Sequence, residues 1–200
     1  MVLQPIAPQS AASAAPQTVT LTAETRYVLS EKSDFAAIKP GDYAGAAVEE
    51  GRGGWLKATD VYVYAEPLRG TGEGRFPDNG RLLVNGTVTN AQPTTPQSVN
   101  DGTLTLHYRG ATLTPMGRGR AVCEGRAVPA PFASALSCSA DAPIQVLPGT
   151  PVSTLTVGDR SLLRPGAIVS VAIAKGPGDR NIAPGVVIEK PTVEKPQSTP

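Results

Sequence analysis

Apolar and polar residues alternate in short runs along most of this chain. In KATDVYVYAE, residues 57–66, Val61 and Val63 fall on one face and Tyr62 and Tyr64 on the other. That period of two predicts a half-buried strand. RLLVNGTVTN (81–90) and GTLTLHYRG (102–110) predict two more, separated by the polar, Pro-rich AQPTTPQSVND. ATLTP (111–115) and PIQVLP (143–148) read as further strand pieces. Asp42–Val48 and Ala167–Ala174, rich in Ala, Val and Ile, predict strands that run into the glycine hairpins EEGRGG and KGPGD. A closing strand follows each, Trp55–Tyr64 and Asn181–Glu189.

These last elements occur twice. At an offset of 125, residues 19–66 lie on 144–191 without a gap. Thr25 meets Thr150, Asp34 meets Asp159, and Pro40–Gly41 meets Pro165–Gly166. Ala47, Gly51, Gly53, Ala58 and Val61 meet Ala172, Gly176, Gly178, Ala183 and Val186. In each copy an Asp precedes a few helix-tolerant residues, Phe35–Ile38 or Arg160–Leu163, and is placed to cap a short turn. Lys39–Pro40–Gly41 and Arg164–Pro165–Gly166 then end it, Pro fixing φ and Gly accepting φ > 0. Strand, strand, strand, short helix, strand, strand is the order of a five-stranded OB-type barrel. The expected fold is therefore all-β, two tandem OB-like barrels, each with a short helical turn.

DFAAIKPGDYAGAAVEEGRGGWLKATDVYV, residues 34–63, resembles a bacterial family of exported OB-like domains, domain of unknown function 5666. The resemblance covers most of residues 19–191 and rests on turn and core positions. It implies the barrel fold and export, and it brings no catalytic residue with it.

The division expected along the chain is an extended or disordered segment at 1–18, an incomplete first module at 19–67 and a Gly-rich connector at 68–80. A second module at 81–190 carries a cysteine-loop insertion at 117–141, and a disordered tail occupies 191–200. By the same offset, the first two strands of the first module would fall ahead of Met1. QPIAPQSAASAAPQ is too rich in Pro and Ala to replace them. Strands missing from a barrel leave unpaired edges, which proteins normally cover. They can come from the other module, a second copy, another protein by strand addition, or chain ahead of Met1.

Composition narrows the partners. Gly and Pro make up about a fifth of the 200 residues, and the formal net charge is +1, so there is no basic stripe of the kind nucleic-acid proteins carry. No apolar run reaches the length of a membrane span. Cys123 and Cys138, the only two cysteines, are read as a disulfide closing a loop of about fifteen residues, worth about 3 kcal/mol. That points to a periplasmic or secreted protein.

One histidine and two bonded cysteines assemble no catalytic set, so an enzyme, a metal site and a cofactor are not expected. His107 is read as an ordinary strand residue. In LRGTGEGRFPDNG, residues 68–80, Arg69, Gly72, Gly74 and Arg75 are candidates for a nest that binds an anion or a partner. A plain connector needs the same residue types. Trp55, Tyr62 and Tyr64 are candidates for an aromatic contact surface. The expected function is a non-enzymatic accessory or structural subunit of a cell-envelope assembly that meets a protein partner, or itself, through strand edges. The alternative is a soluble module binding a small anion or glycan at the connector between the two barrels.

Overall fold

The structure, a computed structural model, describes residues 1–3, 16–51, 55–78, 80–109, 112–113, 121–123, 126–128 and 139–191. Numbered along the chain, the strands are β1 (Val2–Leu3), β2 (Gln17–Thr18), β3 (Thr20–Ser33), β4 (Tyr43–Glu50), β5 (Leu56–Tyr64), β6 (Gly74–Asp78), β7 (Arg81–Pro93) and β8 (Gly102–Arg109). After them come β9 (Thr112–Leu113), β10 (Ala121–Cys123), β11 (Arg126–Val128), β12 (Ser139–Val146), β13 (Val152–Val157), β14 (Val169–Lys175) and β15 (Asn181–Glu189). Only single 3-10 turns interrupt them, and there is no α-helix among the described residues.

Two compact units form, and they do not follow the order of the expected modules. Unit 1 takes Met1–Ser30 and Val157–Pro200; unit 2 takes Glu31–Thr156. Each repeated segment, 19–66 and 144–191, is thereby divided between the two units.

Unit 2 contains a closed five-stranded barrel. β4 lies antiparallel to β5 and β7, β7 to β8, and β8 to β12. β12 closes the ring by pairing in parallel with β5, where Ile144 meets Leu56. The alternation in β8 explains its place, because Leu104, Leu106 and Tyr108 turn inward and Thr103, Thr105 and His107 do not. Val48, Val61, Val84, Val88 and Ile144 meet them in the core, each contributing about 1.5–3 kcal/mol by burial. Phe35, on the 3-10 turn Phe35–Ala37, belongs to the same core. The amide of Ala36 fixes that turn by donating to the Val99 carbonyl at 3.0 Å.

The outer face of β4 is also covered. After the 3-10 turn Glu66–Leu68 the chain folds back as β6, antiparallel to β7. Residues 68–80 thus belong to unit 2, as a strand and its lead-in, where the sequence predicted a connector between modules. The Tyr43 hydroxyl donates to the Thr71 carbonyl at 3.1 Å, and Asn85 Nδ2 donates to the Gly72 carbonyl at 2.9 Å. The Tyr43 and Tyr64 rings pack at 5.4 Å with a 56° tilt.

Burial pushes the Tyr64 phenol up to about 12, and burial followed by the Glu73 carboxylate raises Tyr43. A raised phenol favours the folded state fully below the ordinary tyrosine value near 10. Above that, unfolded tyrosines ionise first and stability falls. Stability between pH 8 and pH 12, followed by urea midpoints, is expected to fall by about 2–3 kcal/mol through Tyr64 in addition to the fall through Tyr43, and Tyr64→Phe should remove the first part and leave the second. A pH-independent midpoint over that range would contradict the burial.

Unit 1 is an open sheet. β15 pairs in parallel with β3 and antiparallel with β14. Val19, Ala183, Val186 and Ile188 are buried in its core, with Leu3, Leu21, Leu163 and Val169 packed around them. The ends of the segment expected to be extended or disordered, β1 and β2, pair antiparallel.

The strand registers of the two units stand at one offset. Val152 meets Val61 in unit 2 and Tyr27 meets Val186 in unit 1. Ala44 meets Val63 and Val169 meets Ile188, and the β-bulges after Ala47 and after Ala172 coincide. Both pairs of positions differ by 125.

Candidate functional site

The second edge of β14 distinguishes unit 1. At the matching offset in unit 2, β4 has β5 on one side and β7 on the other, with Ala46 opposite Val84 and Val48 opposite Leu82. β14 has β15 on one side and no described strand on the other. The burial of the two strands differs accordingly. Ala44, Ala46 and Val48 are fully buried, while Ile173, which stands where Val48 does, is 45% exposed.

Beside this edge lies an open groove of about 1380 Å³. Its apolar floor comes from Leu21, Leu163, Val169 and Val171. The turn that opens β14 forms one wall. Asp159 caps it, its carboxylate accepting from the Ser161 amide at 2.7 Å, and the Ser161 hydroxyl and amide hold that carboxyl below the usual range. Gly166, at φ 84°, reverses the chain as Gly41 does at φ 94°. Arg160 and Arg164 stand exposed on that wall, and neither forms an ion pair among the described residues.

The matching turn in unit 2 carries different side chains. Phe35 occupies the place of Arg160, and the ring is so close to β8 that a methyl group on Gly102 would meet Phe35 Cε1 at 2.5 Å. Where the closed barrel has a buried ring, unit 1 has an exposed arginine lining the groove, which Met1, Val2, Leu3 and Gln17 line as well. Asp34 also differs from Asp159. It makes no capping hydrogen bond, and the Asn100 amide nitrogen faces its Oδ1 at 3.0 Å.

The residues singled out from sequence lie elsewhere. Arg69 donates to Glu66 Oε1 at 2.7 Å and to the Gly41 carbonyl at 3.0 Å. Arg75 is paired with Glu50. The Gly72 carbonyl is taken by Asn85, and Gly74 pairs with Asn85 in the β6–β7 ladder. Both guanidinium groups are therefore already matched by carboxylates, and the glycines serve the fold-back of β6. Glu73 is likewise held by both nitrogens of the Arg109 fork, at 2.9 and 3.0 Å.

Trp55, 64% exposed, precedes β5, and Tyr64 ends it. At about 3.3 Å per residue the two are roughly 30 Å apart along the strand. Tyr64 is packed on Tyr43 and donates to Asn85 Oδ1 at 3.4 Å. The three aromatics thus form no common surface. His107 Nδ1 lies 2.8 Å from Asp141 Oδ1 across the β8–β12 ladder. Cys123 lies on β10, but Cys138 is outside the described residues, and so is the pairing of the two.

Among the described residues no group of three or more His, Cys, Asp or Glu is placed to hold a metal ion. No helix among them is long and apolar enough to cross a membrane. Comparison with protein-family models, with curated proteins and with solved structures finds no match to this chain.

The residues that sequence reading passed over are Arg160, Arg164 and Ile173. The signal for them was available in the repeat: at an offset of 125 they stand against Phe35, Lys39 and Val48.

Proposed function

We propose that this chain is a non-enzymatic, extracytoplasmic binding or structural subunit of a cell-envelope assembly, and that it works by accepting a partner polypeptide strand on β14. The supporting observation is the contrast in burial between β14 and β4. A strand of this length with no described strand on one edge and apolar side chains beside it is a template for strand addition.

In this reading both units are OB-like and exchange their ends. β7, β8 and β12 take β4 and β5 as their last two strands, whereas β3 takes β14 and β15. Among the described residues unit 1 then has no counterpart of β7 or β8, and in this reading an added strand takes the place of β7 beside β14. The resemblance to exported domains of unknown function, and the reading of Cys123 and Cys138 as a disulfide pair, favour an oxidising compartment.

Hydrogen exchange tests the proposal on protein isolated from its own organism and on the chain expressed alone. Slow exchange over Val169–Lys175 confined to the native isolate, with a second polypeptide in stoichiometric amount by native mass spectrometry, is the expected result. Equal exchange in the two preparations, each a single chain, overturns it.

A further inference from the structure

Resting on the strand-addition reading, a sharper statement follows from Arg160 and Arg164: we infer that the strand bound at β14 carries a carboxylate on its inward face, at the end lying over the Asp159–Gly166 turn. Unit 2 supplies the geometry. There the strand that covers β4 is β7, and it runs on past the matching turn, Val88 exchanging hydrogen bonds with Gly41 and Asp42 at 2.8 Å each. Beyond Val88, Ala91 pairs with Leu104 and Pro93 with Gly102, the residue against which the Phe35 ring packs. Ala91 is the inward-facing residue of that stretch, packed on the core.

An occupant of β14 in the same antiparallel register brings its own equivalent of Ala91 to the same end of the groove. In unit 1 it meets the guanidinium of Arg160 in place of a phenyl ring, with Arg164 in the next turn position. An apolar residue there would leave the guanidinium under a strand without a partner. A carboxylate supplies a charge-assisted hydrogen bond in a site shielded from water. The groove therefore asks for apolar residues at alternate positions along β14 and one acid at the end. This combination differs from β7 itself, whose sequence Arg81–Pro93 has no acidic residue, and so it disfavours a β7 strand from a second copy.

Four synthetic peptides test this on the full chain. They are residues 81–93, RLLVNGTVTNAQP, and its Ala91→Glu, Ala91→Gln and Ala91→Lys versions, titrated at low salt by calorimetry and followed by hydrogen exchange of β14. The Ala91→Glu peptide is expected to bind roughly fivefold more tightly than Ala91→Gln, the size of one good ion pair. Ala91→Lys should bind most weakly. The preference should vanish in Arg160→Gln, a surface change that leaves the fold intact, and shrink as salt is raised.

Equal binding of all four peptides with protection of β14 overturns the acidic preference and leaves strand addition standing. Binding of none, with β14 still exchanging freely, removes strand addition as well. A chain that self-associates through β14 and excludes every peptide replaces the partner with a second copy, and overturns the inference.

Discussion

Replacing Gly86 by alanine is expected to unfold the barrel of unit 2. Gly86 lies in β7 against the backbone of β8, and a methyl group there would stand 2.2 Å from the carbonyl oxygen of His107 and 2.7 Å from its carbonyl carbon. Both are backbone atoms, so no change of rotamer relieves the collision. β7 and β8 would have to part, and with them the ladder that holds Leu104 and Leu106 in the core. The expected loss is about 3 kcal/mol or more, at the upper end for overpacking. Gly45→Ala should behave similarly, because its methyl would fall 2.0 Å from Asn85 Oδ1. The Asn85 side chain is buried and held by Gly72, leaving it little room to yield.

Gly185→Ala is the control. It lies in β15 of the open unit, where an added methyl meets nothing within 4 Å. There alanine should be neutral or stabilise by about 0.5–1 kcal/mol, the usual gain over glycine in a strand. Urea unfolding followed by far-ultraviolet circular dichroism separates the cases. A Gly86→Ala loss below about 1 kcal/mol would mean that β7 and β8 approach less closely than the structure has them.

The strands of the closed barrel, β14 and β15, the Pro–Gly turns and the short helical turns were legible because each is local, whereas β3, β6 and β13 were not read as strands. Alternation in 102–109, the Lys39–Gly41 and Arg164–Gly166 turns and the offset of 125 all survive as patterns in one dimension. The pairing of segments was not legible, since the offset that reveals the repeat also makes β4–β5 and β14–β15 equivalent in hydrogen-bond register. Side-chain volume makes the choice. Ala44, Gly45 and Ala46 fit the tight barrel, whereas Val169, Ser170 and Val171 at matching positions would overfill it, with Ser170 brought against Asn85.

The Gly/Arg-rich stretch 68–80 was ambiguous in sequence for a related reason. Its glycines carry positive φ at Gly70, Gly72 and Gly74 to bring β6 back onto β7. In sequence that requirement looks the same as a linker or an anion nest. Only the carboxylates of Glu66 and Glu50, brought beside Arg69 and Arg75 by the fold, tell them apart.

Exchanging the residues at positions 35 and 160 should have very unequal effects. Phe35→Arg removes a ring that is 1% exposed and packed on the β8 backbone at Gly102. Losing the ring alone costs about 3–5 kcal/mol. The guanidinium that replaces it either stays buried without a partner or pulls the turn away from Val99, and neither course recovers the loss. The barrel should therefore be largely unfolded, measurable as a collapse of its urea midpoint. Arg160→Phe makes the opposite change at an exposed position of a turn whose packing comes from Leu162 and Leu163, and should alter stability by no more than about 0.5 kcal/mol. If the proposed acidic strand binds at β14, Arg160→Phe should weaken that binding instead. Comparable losses from both substitutions would show that the Arg160 turn is packed like the Phe35 turn, and unit 1 would then have no vacancy for a strand. A loss confined to Phe35→Arg agrees with a turn in unit 1 that is not packed as the Phe35 turn is, which is what the strand-addition proposal requires.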